Sequence, residues 1–250
     1  MKSFISLYKK EIRSMLFFLL VSILIVLAWE LFLFYKSSVW PSELILGLSF
    51  LPTSFFPLIM LWQGYQSYRH EWKDETIYML LTFPSPGWKI SLAKLAAGFS
   101  YYLSVVLFTA LMVFLINDKS FISQLPSYIS KSYIYKTSFL IGIAYIVFGM
   151  VPYILSQFSC LVSRFYSRFK GLISIVVFIL TNYLIYRVAS LISPIFNWLP
   201  NIPVKGFSVS MGEVTFQTIY LNSAPIVSLL LMILFVFYLG SLLLEKYLEV

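Results

Sequence analysis

A chain that hydrolyses ATP, cuts a peptide bond within a membrane or holds zinc must place particular side chains at particular spacings. Few of them are in place here. The sequence contains no G-x-x-x-x-G-K-[ST] run, so it offers no glycine-rich loop to cradle a phosphate. Neither H-E-x-x-H nor G-x-S-x-G occurs. His70 is the only histidine and Cys160 the only cysteine. Together they exclude an internal disulfide, a cysteine-rich metal centre and a histidine metal cluster. Cys160 reads as a small buried apolar residue. The paired polar residues at depth that intramembrane proteolysis needs are not evident. We therefore expect no catalytic residue, no bound cofactor and no metal in this chain.

The segment richest in information runs from His70 to Ile90 (HEWKDETIYMLLTFPSPGWKI). Glu71, Asp74 and Glu75 open it, and acidic residues suit the positive end of a helix dipole. Ile77, Leu80 and Leu81 follow at helical spacing, and Pro84, Pro86 and Gly87 stop the helix and turn the chain. A short amphipathic helix with a hard stop is suited to docking against a partner. The plainer alternative is a helix lying on lipid headgroups.

Other charged and small residues invite weighing. Glu30 and Arg187 fall inside apolar runs, where a charge is costly unless paired or hydrated. They are expected to pair, to line an outer vestibule, or to snorkel to the interface. Ala96, Ser100 and Ser104 recur every fourth residue and permit close helix approach. Arg164, Arg168 and Lys170 form a basic turn that is most simply topogenic.

The elements that must position these residues are dictated by the solvent. Hydrophobic residues make up 60% of the chain and charged residues only 11%. A water-soluble domain is about 45–50% apolar and about 25% charged, and could not hide this surplus. Lipid is the expected solvent. Six apolar stretches reach the ~20 residues needed to cross a ~30 Å hydrocarbon core. They run from about Met15 to Tyr35, Leu44 to Tyr65, Ile90 to Ile116, Ser138 to Leu161, Gly171 to Ile192 and Pro225 to Leu244. The expected fold is an all-α integral membrane protein forming one transmembrane domain over residues 1–250, with 66–89 a cytoplasmic segment and 193–224 an external one. The external segment combines several prolines with Ile195, Phe196, Trp198 and Leu199, so it is expected to pack back onto the bundle or to re-enter the outer leaflet.

Residues 1–14 carry Lys2, Lys9, Lys10, Glu11 and Arg13 opposite an apolar face of Phe4, Ile5, Tyr8 and Ile12, the pattern of an interfacial helix. A cleavable signal peptide is the rival, but the apolar run that follows is too long and lacks a small-x-small site. With the N-terminus inside, twelve of the 18 Lys and Arg residues fall on the cytoplasmic side, which places both termini there. The net charge of +8 then reads as topogenic charge facing anionic lipid, and no nucleic-acid partner is expected.

The 70–90 segment resembles the cytoplasmic signature of type-2 permeases of ATP-binding-cassette transporters. In that family an acidic residue, a Gly-Thr pair, a Leu-Leu, a proline and a downstream lysine recur before the third span. Glu71, Thr76, Leu80, Leu81, Pro84 and Lys94 occupy those places here. Glu75 stands where the family usually has glycine, and Pro86-Gly87 where a Ser-Arg type turn is common. The resemblance extends to the order of the interfacial helix, six spans and apolar external segment. It implies a permease subunit in a cell membrane, multi-pass, forming an export path, with Glu71, Thr76, Leu80, Leu81 and Pro84 coupling it to a separate ATPase. It further implies two ATPase copies, ATP-Mg held by them rather than by this chain, and a second permease copy or a sister permease. Heavy use of Lys, Ile and Phe points to a bacterium of low genomic GC. A non-transporting membrane scaffold or sensor is the alternative from another class, and an intramembrane enzyme is disfavoured.

Overall fold

The computed structural model describes residues 2–74, 86–124, 131–166, 168–210 and 213–248. The helices are α1 (Lys2–Lys36), α2 (Ser42–Ser49), α3 (Leu51–Lys73), α4 (Gly87–Gln124), α5 (Lys131–Ser163), α6 (Lys170–Ile192) and α7 (Ala224–Leu248). A 3-10 turn at Ser193–Phe196 and strands β1 (Ile202–Ser210) and β2 (Glu213–Leu221) lie between α6 and α7. Six helical segments are long and apolar enough to cross a membrane: Phe4–Lys36, Leu44–Lys73, Gly87–Leu115, Phe139–Ser163, Lys170–Phe196 and Ala224–Lys246. Each contains, or overlaps almost completely, one of the six stretches read from the sequence. The chain is a multi-pass membrane protein of the expected all-α class.

The distribution of apolar side chains follows from that solvent. Phe17, Leu24, Ile25, Leu31, Leu172, Ile175, Ile179 and Leu234 are all more than half exposed in the isolated chain. In water so large an apolar girdle would drive association; against acyl chains it is the stable outer surface. Lys36 stacks over the rings of Tyr35 and Trp40, and Lys89 over Trp88. These basic–aromatic groupings sit at helix ends, where amphipathic rings meet the headgroups.

Inside the bundle α1 packs on α4 and α3 on α5, while α6 and α7 cover another flank of α5. One core joins Met15 and Val26 of α1 to Phe56 and Met60 of α3, Ala97, Tyr101 and Tyr102 of α4, and Met150 and Tyr153 of α5. A second gathers Leu7, Tyr68, Ile90, Ala93, Cys160, Leu161 and Leu244. Cys160 is buried, as its residue type suggests.

Glycine and proline set the closest crossings. A Cβ at Gly64 would overlap Ser156 Oγ and the carbonyl of Tyr153, so α3 and α5 touch there because no side chain intervenes. Pro57, inside α3, cannot donate an N–H to the carbonyl of Thr53. The Tyr145 hydroxyl on α5 donates to that carbonyl instead, a repair that a neighbouring helix can supply in lipid. At the other proline in this span, Pro52, the helix simply restarts: α2 ends at Ser49 and α3 begins at Leu51, with Pro52 in its first turn.

Two sequence expectations need correction, at the N-terminus and in 193–224. Residues 1–14 do not form a separate surface helix. They continue into the first span as α1, because nothing between Ser14 and Met15 breaks a helix and the stripe Leu7, Glu11, Met15 packs inward. Within the segment 66–89, α3 extends to Lys73 and α4 starts at Gly87. Beyond the third span α4 runs on to Gln124, and α5 begins at Lys131. Finally, 193–224 holds an antiparallel hairpin, with Ile202 in register with Leu221, Phe207 with Phe216 and Val209 with Val214. Its β-branched residues favour pleated strands. Ser223 Oγ donates to the carbonyl of Pro200 at 3.0 Å, tying its base.

Candidate functional site

The most polar feature of the bundle lies at the end where α1 begins, α3 finishes and α4 starts. Lys94 stands two turns into α4, on the same inward face as Ile90, Ala97 and Tyr101. Its side chain is 1% exposed, and a lone ammonium there would be prohibitively costly. All three of its N–H groups have acceptors. Nζ donates to Glu11 Oε1 of α1 at 2.8 Å, to Glu71 Oε1 of α3 at 3.2 Å and to the carbonyl of Ser67 at 2.8 Å. The Tyr68 ring lies beneath it, 5.2 Å from Nζ to the centroid.

Charge balance is completed from α1. Lys10 Nζ donates to the same Glu71 Oε1 at 2.7 Å, so two ammonium groups face two carboxylates. Glu11 and Glu71 are 5% and 6% exposed, whereas the Lys10 side chain is half exposed. Around this core Tyr68 shares a hydrogen bond with Ser91 at 2.9 Å, and Tyr153 of α5 donates to the carbonyl of Lys94 at 2.8 Å. Gln157 Nε2 donates to Ser67 Oγ at 3.1 Å. Arg164, just past the end of α5, lies over the Trp72 ring near the end of α3, 4.9 Å from guanidinium carbon to centroid. Four helices therefore meet in one polar knot.

The cluster has no nucleophile placed beside a base, and among the described residues no group of three or more His, Cys, Asp or Glu could hold a metal. What the arrangement can do is mechanical: it fixes the entry of α1, the exit of α3 and the entry of α4 as one unit. No family model, curated protein or solved structure matches the chain. The permease resemblance accordingly rests on the residues between Glu71 and Lys94 and on the order of the spans.

Of the residues that resemblance singles out, Glu71 and Lys94 lie far apart in sequence yet meet in the cluster, Glu71 buried rather than presented on a docking surface. Thr76, Leu80, Leu81 and Pro84 lie outside the described residues. Glu30 and Arg187 do not pair. Glu30 is 1% exposed, on the inward stripe with Val26 and Leu33, and neither carboxylate oxygen has a hydrogen-bond partner among the described residues. Arg187 is exposed, and its Nε bonds the Tyr183 hydroxyl one turn back on α6. Only part of the small-residue stripe acts as expected: Ser100 hydrogen-bonds Tyr8 of α1 at 2.8 Å, while Ser104 is exposed.

Lys10 and Glu11 were missed because a charged N-terminus reads as topogenic. A signal was available. Glu11 falls four residues from both Leu7 and Met15, on a stripe whose other members are apolar, and Lys94 lies within an apolar run. A charge on an inward stripe requires a partner, and these two are of opposite sign.

Proposed function

We propose that this chain is the membrane subunit of an ATP-binding-cassette exporter, with the segment after α3 seated against a separate ATPase. The observation that supports this reading is the Lys94–Glu11–Glu71 cluster, which ties together the two helices that the segment connects, and α1 with them. A partner pressing on residues between Lys73 and Gly87 would push on the end of α3 and the start of α4. Since Glu71 and Lys94 are bonded to each other and to α1, displacement at that connection would move three spans together. The energy must come from elsewhere, because the sequence has no phosphate-binding loop.

In this reading both termini and the cluster face the cytoplasm, the partner ATPase holds ATP-Mg, and a second permease chain completes the path. By the sequence pattern, Leu80, Leu81, Thr76 and Pro84 are the docking residues, and Glu71 ties the end of α3 to the bundle. The test is co-purification of the tagged chain with the ATPase encoded beside it. Leu80→Glu and Leu81→Glu are expected to abolish recovery of the ATPase while membrane insertion is retained. Full recovery and normal transport with both variants would refute the docking assignment. A stable complex whose ATPase activity is not coupled to any cargo would favour a scaffold or sensor instead.

A further inference from the structure

Between α1 and α3, in front of the ion-pair cluster, lies a cavity of about 350 Å³. We propose that it is a site for one phospholipid whose headgroup ends in a primary ammonium. The proposal depends on the chain being a membrane protein and not on the transporter reading.

The first argument is a gradient of polarity. Asp74, Glu71 and Lys10 line the cavity at the end where α3 finishes; Gln63 lies further up α3, and Phe18 and Trp62 close the far end. Asp74 and Trp62 are twelve residues apart on and just beyond one helix, about 18 Å at ~1.5 Å per residue. Phe18 and Trp62 are 44% and 52% exposed, and the lipid-facing side of α1 continues beyond them through Leu24 and Ile25. Charge, then amide, then aromatic ring, then open apolar surface is the order met along a lipid from headgroup through glycerol ester to acyl chain.

The second argument is an unmet hydrogen bond. Gln63 is 6% exposed and lines the cavity, and its Nε2 has no partner among the described residues. Its amide is a polar group part-way along the cavity, where an ester or glycerol oxygen can hydrogen-bond it and an apolar helix from a second chain could not.

The class of headgroup follows from the walls. Glu11 and Glu71 are engaged by Lys94 and Lys10, so Asp74 is the lining carboxylate left to meet a ligand cation, with Lys10 and His70 the basic side chains beside it. The charge of Lys94 lies behind the wall and is already committed to Glu11 and Glu71. The carboxylate end suits an ammonium N–H donor, while Lys10, with one bond to Glu71, retains N–H groups for the adjoining phosphate. Phosphatidylethanolamine meets both demands. Phosphatidylglycerol lacks the cation, and phosphatidylcholine lacks the N–H.

The test is native mass spectrometry of the full-length detergent-purified chain with equimolar dioleoyl phosphatidylethanolamine, phosphatidylglycerol and phosphatidylcholine. One phosphatidylethanolamine per chain should be retained, preferred by roughly tenfold, the weight of one charge-assisted hydrogen bond. Asp74→Asn should erase the preference over phosphatidylcholine, and Gln63→Leu should weaken retention of every diacyl lipid, with unchanged circular-dichroism melts in both. Equal retention of the three lipids, or retention unaffected by both substitutions, would overturn the proposal. So would dodecylamine binding as tightly as the lipid, which would give the cavity to a soluble cationic amphiphile. A Phe18→Cys variant that crosslinks to its counterpart in a second chain would make the groove a protein interface.

Discussion

Replacing Lys94 by methionine tests the central cluster most directly. The substitution keeps the length and apolar stem of the side chain, so packing changes little, but it removes the ammonium that holds Glu11 and Glu71. Glu71 keeps Lys10 at 2.7 Å, whereas no other lysine or arginine forms an ion pair with Glu11 among the described residues. One carboxylate, 5% exposed, is thereby left without its counter-charge. Breaking a buried ion pair from one side costs about 3–5 kcal/mol. Lys94→Met should therefore lose stability in that range, measured by denaturant titration in mixed micelles. Adding Glu11→Gln removes the orphaned charge while keeping hydrogen-bonding capacity, and should recover about half of the loss, leaving a deficit of the size of one or two ordinary hydrogen bonds, roughly 1–2 kcal/mol. The pair would thus show strong coupling in a double-mutant cycle. A Lys94→Met loss below about 1 kcal/mol, the scale of an exposed pair, would refute the claim that this cluster ties the three helices together. So would a double variant no more stable than the single one.

Three further outcomes follow from the packing. Tyr145→Phe should cost about 0.5–1.5 kcal/mol in the parent chain. It should cost almost nothing in a Pro57→Ala background, where the restored N–H takes over the Thr53 carbonyl; equal cost in both backgrounds would dissociate Tyr145 from the proline. Gly64→Ala should destabilise by about 1–3 kcal/mol, because one of the atoms in its way is the Tyr153 backbone carbonyl, which cannot rotate aside. A neutral result would mean α3 and α5 stand further apart. Glu30→Met should be neutral or raise stability by up to about 2 kcal/mol, since the cost of burying the carboxyl outweighs its weak interaction with the Ser49 side chain. Marked destabilisation would mean that the carboxyl has a partner in the folded protein.

Composition and the length of apolar runs determined the solvent, the fold class and the six spans. Those properties are additive along the chain: a stretch of some twenty apolar residues crosses the bilayer whatever its neighbours do. The same additivity exposes its limit. Residues 1–14 were read as a surface helix because their charges alternate with apolar residues, and a local pattern cannot say whether its apolar stripe meets lipid or another helix. The hairpin at 202–221 is legible in its β-branched content, but the prolines and apolar residues of 193–224 mark only an external segment and name no strand pairing.

Only the tertiary structure decided which charges meet. Glu11 and Lys94 are separated by 83 positions, and nothing local to either names the other. Their pairing arises because α1 packs along α4 with both side chains on the buried seam, where two opposite charges removed from water have no better partner than each other. Glu30 shows the converse. The same rule proposed a partner in Arg187, but helix rotation turns one inward and leaves the other exposed on α6, so the pair does not form. Rotation of a helix about its axis is set by the whole packed surface. A sequence read one segment at a time therefore indicates that a buried charge needs a partner, while the packing of the bundle selects which residue supplies it.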